Sequence, residues 1–367
     1  MMKKGFLKRC GALSLILVLI LSLAACGSSD TADETSADAE ESSESAEAQA
    51  DETAAEYKYG TIDLPVLDGS LCWAPAYIAY HLGYFAEEGF DVNLATSSIE
   101  ANKIALNEGT VPVIFGDFQY FPSIENGVEI SVVAGIHEGC ISIVVNPDSD
   151  IETAEDLIGA TIAIDEVGGT THMAASMWLE LNGVSASESD GEVSFVPYTD
   201  GNLELEALYS GEVDAAVVWD PYGTTSSEAG NTRVILDIST DEPFAGKYCC
   251  FVYASNKVLE EDPEQVAAIL RALNKAQEYI LENPEETVSI LMENNYIELD
   301  DADLGENLLA TYNYVCVDED MTEEANADVK ENIEYFAEQL YNIGYLTTDA
   351  QTFVSQAYAE VDLTLGE

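Results

Sequence analysis

Basic residues are scarce in this sequence. It holds 12 Lys and Arg against 70 Asp and Glu in 367 residues, for a formal net charge of −58 at pH 7. Nucleic acids and anionic lipid surfaces bind proteins through clustered Lys and Arg. The composition therefore excludes nucleic acid as a partner, and we interpret most of the acidic charge as a source of solubility.

Catalytic and cofactor motifs are also missing. The sequence contains no G-x-S-x-G, no Walker loop, no G-x-G-x-x-G and no H-E-x-x-H. Its histidines, His81, His137 and His172, lie in separate predicted units, and we expect His81 to be a packed or surface residue. From the residues alone we therefore expect no enzyme active site, no metal site and no cofactor.

One apolar run near the N-terminus, Gly11–Ala25, follows four basic residues. The run is shorter than a membrane-spanning helix requires, and the basic residues before it are typical of a signal peptide. It ends in LAACG (Leu23–Gly27), which matches the bacterial lipobox. We therefore expect residues 1–25 to be removed and Cys26 to be lipidated. An ordinary secretory cut beside an incidental cysteine is the alternative.

The next stretch, residues 26–56, lacks the residues that build a core. From Gly27 to Glu56 there is no Val, Ile, Leu or aromatic residue. Such a segment cannot bury enough apolar surface to offset its ordering entropy, so we expect a disordered acidic tether. The predicted location is the extracytoplasmic face of the cell membrane, with the lipid as the only membrane contact.

Cysteines are few, and the number that remains outside the leader and the predicted lipid site is odd. Cys10 lies in the leader and Cys26 is the predicted lipid site. The remaining cysteines are Cys72, Cys140, Cys249, Cys250 and Cys316. An odd number excludes complete intramolecular pairing. We expect free buried thiols, with a disulfide between Cys140 and the Cys249–Cys250 pair as the alternative.

The rest of the chain alternates strand and helix patterns. Thr61–Leu67 reads as a strand, Pro75 begins a helix that Gly83 ends, and Phe90–Leu94 alternates as a second strand. Further strands are predicted at Val113–Gly116, Glu129–Gly135, Gly139–Asn146, Thr161–Asp165, Ala215–Trp219 and Lys247–Ser255, and helices at Ile99–Asn107, Phe118–Glu125, Asp150–Leu157, Glu204–Tyr209 and, beyond Asp262, throughout. This order predicts two α/β lobes followed by a helical region that packs back on the first lobe. The first helix of that region is predicted to start with a capping box at Asp262–Gln265 and to carry an apolar stripe of Val266, Ile269, Leu270, Leu273 and Ile280.

Three stretches carry a family resemblance. They are APAYIAYHLGYFAEEGFDVNL (Ala74–Leu94), DLIGATIAI (Asp156–Ile164) with its Gly-Gly-Thr-Thr loop, and GEVDAAVVWDPY (Gly211–Tyr222). Together they resemble the substrate-binding proteins of ABC importers in the nitrate, sulfonate, taurine and thiamine-precursor group (SsuA/THI5-like, NMT1-like), over Tyr57 to about Ile297. The resemblance implies a ligand held between two lobes, delivery to a permease with its ATPase, and no catalysis.

The resemblance also implies a type II periplasmic-binding-protein fold: mixed sheets flanked by helices and a hinge of two crossing strands. We expect lobe 1 to comprise residues 57–138 and 252–367, and lobe 2 to comprise residues 139–251. Closure of the lobes around the solute is the expected mechanism.

Candidate ligand residues follow from one rule: open α/β sheets bind ligands at the carboxyl ends of their strands. The candidates are Cys72, Trp73, Ser97, Ser98, Gly116, Asp117, Glu138, Gly169, Thr170, Thr171, Trp219, Asp220 and Tyr222. Helix N-termini and hydroxyls would donate hydrogen bonds, and the aromatic residues would stack on a planar ligand. The alternatives are helix-capping roles for Asp117 and Asp220 and core packing for the aromatic residues.

The ligand class follows from charge. The predicted ligand loops hold no Lys or Arg but include Asp117, Glu138 and Asp220. An unpaired carboxylate beside a bound anion is unfavourable in a low-dielectric cleft, so the pattern favours a neutral or weakly basic heteroaromatic solute such as a pyrimidine. A sulfonate, taurine, nitrate or bicarbonate ligand is the alternative, with Lys103 or Lys247 reaching the cleft. A pyrimidine-synthase-like enzyme and a surface receptor are alternatives of other classes.

Overall fold

Strands and helices alternate along the chain and build three separate sheets. The computed structural model describes residues 57–67, 69–187, 189–297, 299, 301–317 and 322–366. The predicted signal peptide, Cys26 and the tether to residue 56 lie outside the described residues. Across the described ranges, no helix is both long enough and apolar enough to cross a membrane.

The described part of the chain forms ten strands and thirteen α-helices. The strands are β1 (Gly60–Val66), β2 (Phe90–Thr96), β3 (Val113–Asp117), β4 (Ile130–Glu138), β5 (Ile141–Val145), β6 (Thr161–Ile164), β7 (Ser194–Pro197), β8 (Ala215–Trp219), β9 (Arg233–Asp237) and β10 (Tyr248–Ser255). The helices are α1 (Ala74–His81), α2 (Tyr84–Glu87), α3 (Ile99–Glu108), α4 (Phe121–Glu125), α5 (Thr170–Leu181), α6 (Gly201–Ser210), α7 (Tyr222–Glu228), α8 (Asn256–Glu261), α9 (Pro263–Glu282), α10 (Pro284–Glu293), α11 (Ala302–Thr311), α12 (Thr322–Asn342) and α13 (Ala350–Ala357).

The first unit is the predicted strand, helix and strand. β1 and β2 pair in parallel, with Gly60 opposite Phe90. Pro75 lies in the first turn of α1, where its missing N–H costs no hydrogen bond. Gly83 has a φ of 79°, a conformation that glycine adopts without steric cost, and it redirects the chain into α2. The loop after β1 therefore lies at the carboxyl end of a parallel strand.

Two larger sheets form the rest of the architecture. β10 lies between β3 and β4 and is antiparallel to both. The second sheet has the order β7-β6-β8-β5-β9, in which β6 runs parallel to β7 and β8. The chain passes from the first of these sheets to the second between β4 and β5, and returns between β9 and β10. This is the predicted two-lobed α/β fold with mixed sheets and flanking helices. The exact lobe boundaries stay a prediction, and β10 runs through the one expected at residue 251.

The C-terminal helices pack on the lobe that contains β3, β4 and β10. The apolar stripe of α9 is buried as predicted and consists of Val266, Ile269, Leu270, Leu273 and Ile280. Burial of each such aliphatic side chain contributes roughly 1.5–3 kcal/mol. Phe336 of α12 stacks on Phe118, and Phe353 of α13 packs against Phe121. These contacts hold the last two helices against the segment that follows β3.

Two local predictions were wrong. Asp150–Leu157 is not a helix beyond the 3-10 turn Glu155–Leu157, because Asp156 Oδ2 accepts hydrogen bonds from Glu152 N–H and from Thr153 and so fixes a turn in place of the preceding helical turn. Asp262 does not cap α9 through its side chain. Its Oδ2 instead accepts a 2.9 Å hydrogen bond from the side-chain amide of Gln265.

Candidate functional site

A cavity of about 540 Å³ lies where the carboxyl ends of the strands meet. Its walls come from the ends of β3 and β8, from the segments that follow β1, β2, β6 and β7, and from the two chain crossings at Cys140 and Cys249–Cys250. Parallel strands release their loops at one edge of a sheet, so loops distant in sequence converge there. The position of the cavity follows from the topology.

Most predicted ligand residues line this cavity. They are Cys72, Trp73, Ser97, Ser98, Gly116, Asp117, Thr170, Thr171 and Trp219. The strand-end rule placed them at the cavity because each ends or follows a strand whose carboxyl end faces it. Their contact with a ligand stays a prediction.

Four predicted residues do not line the cavity. Glu138 accepts a 2.8 Å hydrogen bond from the Asn313 side chain. Gly169 precedes α5 as its N-cap, and Tyr222 begins α7 and forms an edge-on ring contact with Trp219. Asp220 is buried and accepts hydrogen bonds from Thr224 Oγ1 (3.1 Å) and from Tyr312 Oη (3.2 Å). Burial raises the pKa of the Asp220 carboxyl to about 8.

Other lining residues were not predicted. They include Gln119, Tyr120, Asp165, Glu166 and Thr199. Asp165 and Glu166 follow β6 directly. The strand-end rule finds them when it is applied to the end of β6, whereas we applied it only to the glycine loop after that strand. Gln119 and Tyr120 belong to a 3-10 turn whose direction the sequence pattern does not indicate.

Asp117 connects two walls of the cavity. Its side chain accepts hydrogen bonds from Gln119 N–H (2.8 Å), Gln119 Nε2 (2.9 Å) and Thr170 Oγ1 (2.7 Å). The bond to the Gln119 N–H confirms the predicted capping role. The surrounding protein desolvates this half-buried carboxyl and raises its pKa to about 6, although the hydrogen bonds oppose the rise. The end of β3 is thereby joined to the start of α5.

The cavity wall is acidic. Besides Asp117 it contains Asp165, Glu166 and Glu100, and no Lys or Arg occurs among the described residues that line it. Burial raises the pKa of both Asp165 and Glu166. Thr171 Oγ1 lies 2.5 Å from Asp165 Oδ1. A bound solute would therefore meet carboxyl groups and hydroxyls.

Of the two lysines proposed to reach the cleft, Lys103 lies beside the cavity and Lys247 does not. Lys103 pairs with Glu100 at 2.8 Å, and its Nζ lies 5.6 Å from the centroid of the Tyr120 ring. It reaches the rim, next to lining residues, without lining the cavity itself. Lys247 pairs with Glu331 at 3.2 Å, which directs its charge to α12.

Aromatic rings supply flat surfaces in the cavity wall. Trp73 stacks on Phe115 with centroids 5.1 Å apart, and Tyr120 stacks on Tyr253 at 4.8 Å. Trp73 and Trp219 are both half-buried. The packing interpretation therefore holds for Trp73, which stacks on Phe115 and still borders the cavity. Stacking of Trp73 on a ligand stays a prediction.

Thiols line the floor of the cavity at the chain crossings. Cys72, Cys140, Cys249 and Cys250 are free, and Cys140 Sγ lies 3.2 Å from Cys249 Sγ and 3.8 Å from Cys250 Sγ. The neighbouring Cys140 and Cys250 side chains lower the pKa of the Cys72 thiol well below its ordinary value. The pattern of two crossing strands predicted this proximity for Cys140, Cys249 and Cys250 only, without Cys72 or a histidine.

The fold and the cleft together assign this protein to the class with the two-lobed periplasmic-binding-protein fold. The alkanesulfonate-binding protein SsuA from Xanthomonas axonopodis pv. citri, bound to MOPS, matches with a TM-score of 0.63 at 16% identity, over 82% of this chain and 98% of that chain. The desulfurization enzyme DszB matches with a TM-score of 0.56 at 14% identity, over 82% of this chain and 96% of that chain. These likenesses concern the fold, which serves both binding and catalysis.

The family is narrower than the fold. Residues 72–287 match the model described as "NMT1/THI5 like", and the chain belongs to this family. A formylaminopyrimidine-binding protein from Halalkalibacterium halodurans is 25% identical over 248 residues, which cover 63% of this chain and 71% of that protein. The resemblance noted in the sequence is thereby confirmed at the level of family.

Proposed function

We propose that this protein is the extracytoplasmic substrate-binding component of an ABC importer, and that its solute is a neutral or weakly basic pyrimidine of the thiamine-precursor type. The observation that carries the proposal is the acidic cavity, about 540 Å³ in volume, whose lining contains half-buried tryptophans and no Lys or Arg. This volume lies in the range of about 300–1,000 Å³ typical of small-molecule sites.

The chemistry of an aminopyrimidine suits these groups. Its exocyclic N–H groups donate hydrogen bonds, which the carboxylates of Asp117, Asp165 and Glu166 can accept, and its ring nitrogen can take up a proton beside a carboxylate. Its flat ring can stack on Trp73 or Trp219. The relative in Halalkalibacterium halodurans, named for a formylaminopyrimidine, supports the same class of solute.

An anionic solute of the sulfonate, taurine, nitrate or bicarbonate kind is the second candidate. The favourable feature is the N-terminus of α5, whose first residues Thr170 and Thr171 line the cavity. The unfavourable feature is the carboxylate of Asp117 within 2.7 Å of Thr170 Oγ1. An anion placed there would lie beside a negative charge in a partly desolvated site, which costs several kcal/mol.

Catalysis is the alternative of another class. The fold is compatible with it, as the likeness to DszB illustrates. His172, which follows the lining residue Thr171, accepts a hydrogen bond from Gly168 N–H (2.9 Å) and contacts the Tyr345 hydroxyl (2.8 Å) through Nδ1. These contacts support a role for His172, in the first turn of α5, in holding the loop that precedes this helix.

Calorimetry and thermal unfolding of the purified protein would test the proposal, with formylaminopyrimidine on one side and MOPS, taurine, nitrate and bicarbonate on the other. At a hundredfold excess over its dissociation constant, a ligand stabilises the native state by about 2.7 kcal/mol, which corresponds to a rise in Tm of roughly 5 °C. We expect this rise with the pyrimidine and none with the anions.

The recovered solute would separate binding from catalysis. Mass spectrometry of the ligand released by denaturation should return the pyrimidine unchanged. A rise in Tm with an anion alone would refute the proposed solute class, and a chemically altered ligand would favour the enzyme. Release of the solute to a permease and its ATPase, after closure of the lobes, is the expected next step of transport.

A further inference from the structure

Four possible metal ligands converge at the floor of the cavity. Cys72 comes from the 3-10 turn after β1, His137 from β4, Cys140 from the crossing between β4 and β5, and Cys250 from β10. One ligand atom of each side chain lies within 4.8 Å of the ligand atoms of all the others. Cys72, His137 and Cys140 are buried and Cys250 is half-buried.

The spacing of the sulfur atoms fits a tetrahedral ion. With a metal–sulfur bond of about 2.3 Å, two sulfurs of a tetrahedron lie about 3.8 Å apart. Cys140 Sγ and Cys250 Sγ are 3.8 Å apart. Cys249 Sγ lies 3.2 Å from Cys140 Sγ and 3.4 Å from Cys250 Sγ, which is too close to both for it to share the same tetrahedron.

The imidazole of His137 is oriented as in a metal ligand. Its Nδ1 lies 2.8 Å from the backbone oxygen of Glu138, an acceptor, so the ring proton resides on Nδ1 and the lone pair on Nε2. Nε2 is fully buried and has no hydrogen-bond partner among the described residues. The Tyr312 ring stacks on the imidazole at 4.4 Å and holds its plane. A buried nitrogen lone pair without a partner is destabilising, and a bound cation would satisfy it.

We propose that Cys72, His137, Cys140 and Cys250 form a four-coordinate Zn²⁺ site that joins the loop after β1 to both chain crossings between the sheets. Three sulfurs and one imidazole nitrogen are a ligand set that zinc accepts in closed, structural sites. Cys72, Cys140 and Cys250 border the cavity, which provides an entry path. Binding of Zn²⁺ releases to solvent the protons that the three thiols still carry and involves no change of oxidation state.

The site is independent of the proposed solute. None of its four ligands is among the residues proposed to contact the pyrimidine, which are Asp117, Asp165, Glu166, Trp73 and Trp219. An ion held there would restrain the crossings about which the lobes are expected to move, and would stabilise the native state by linkage. The tests of the two proposals use different ligands, and the Co²⁺ spectrum reports on the metal site alone, so either proposal can fail alone.

Metal titration of the purified full chain, reduced and freed of metal with a chelator, would test the site. We expect one equivalent of Zn²⁺ to bind and Tm to rise. Co²⁺ should give the intense visible bands of tetrahedral coordination and a thiolate-to-metal charge-transfer band. The variants C72S and C250S should lose the charge-transfer intensity of one thiolate and bind at least tenfold more weakly, because each removes a ligand.

The matched control is C316S, because Cys316 is a half-buried cysteine outside the cluster. It should keep the stoichiometry and the Co²⁺ spectrum, and circular dichroism would establish that each variant is folded. The proposal is refuted if the folded, reduced protein binds no equivalent of Zn²⁺, or if C72S and C250S bind Co²⁺ as C316S does. A Cys140–Cys249 disulfide found in air-purified protein would first be reduced. Zinc binding after reduction would support the proposal, and failure to bind zinc after reduction would refute it.

Discussion

Glu204 links the protonation of a buried carboxyl group to the stability of the protein. Its side chain, on α6, is fully buried, and neither carboxyl oxygen has a hydrogen-bond partner among the described residues. Burial, with smaller contributions from Asp165 and Asp200, raises the pKa of Glu204 from 4.5 to about 9. The folded protein therefore keeps this carboxyl protonated at neutral pH.

The sign of the pH dependence follows from this raised pKa. Between about pH 4.5 and pH 9 the unfolded chain releases the Glu204 proton while the folded chain retains it. The free energy of unfolding contributed by this group is highest below pH 4.5 and falls by about 1.4 kcal/mol for each pH unit above it. From pH 5 to pH 8 the expected loss is about 4 kcal/mol as an upper value.

Urea unfolding of the full chain at pH 5 and pH 8 measures this loss. The substitution Glu204→Gln removes the titration and keeps the shape, so we expect little change in stability at pH 5 and a gain of up to about 4 kcal/mol over the wild type at pH 8. Glu206→Gln is the matched control, because Glu206 is exposed on the same helix. Equal effects of Glu204→Gln at both pH values would refute the reasoning, as would an equal gain for the control.

Three further predictions concern the cleft, the core and the anchor. Asp117→Asn should weaken pyrimidine binding by about 10- to 100-fold in calorimetry, since a charge-assisted hydrogen bond contributes about 1.5–3 kcal/mol. The control is Asp349→Asn, which alters an exposed carboxyl that caps α13 and should leave the affinity for the pyrimidine unchanged. Phe353→Ala, at a fully buried ring, should lower the free energy of unfolding by about 3–5 kcal/mol in urea, and a loss below about 1 kcal/mol would contradict the packing described. Cys26→Ser should move the protein from the membrane fraction to the soluble fraction, and continued membrane association would exclude the lipid anchor.

The strand-end rule explains how much of the site the sequence could predict. Trp73, Ser97 and Thr170 were found because each follows a strand pattern, and a parallel strand delivers its next loop to the cavity edge. Asp220 followed a strand too, but its side chain turns to Thr224 and Tyr312 instead of the cavity. Side-chain direction at a strand end depends on contacts with remote residues, which a local pattern does not report.

The sequence by itself determined the alternating strands and helices, the family, the scarcity of cations and the predicted lipid site, because these depend on residue order and composition over short windows. Only the tertiary structure decided which groups meet. Asp117 and Thr170, 53 positions apart, are joined by a 2.7 Å hydrogen bond, and the Tyr312 hydroxyl donates a 3.2 Å hydrogen bond to Asp220 across 92 positions. The physical reason is that strand pairing and helix packing select these neighbours through the burial of the whole core, whereas local periodicity reports only which face of an element is apolar.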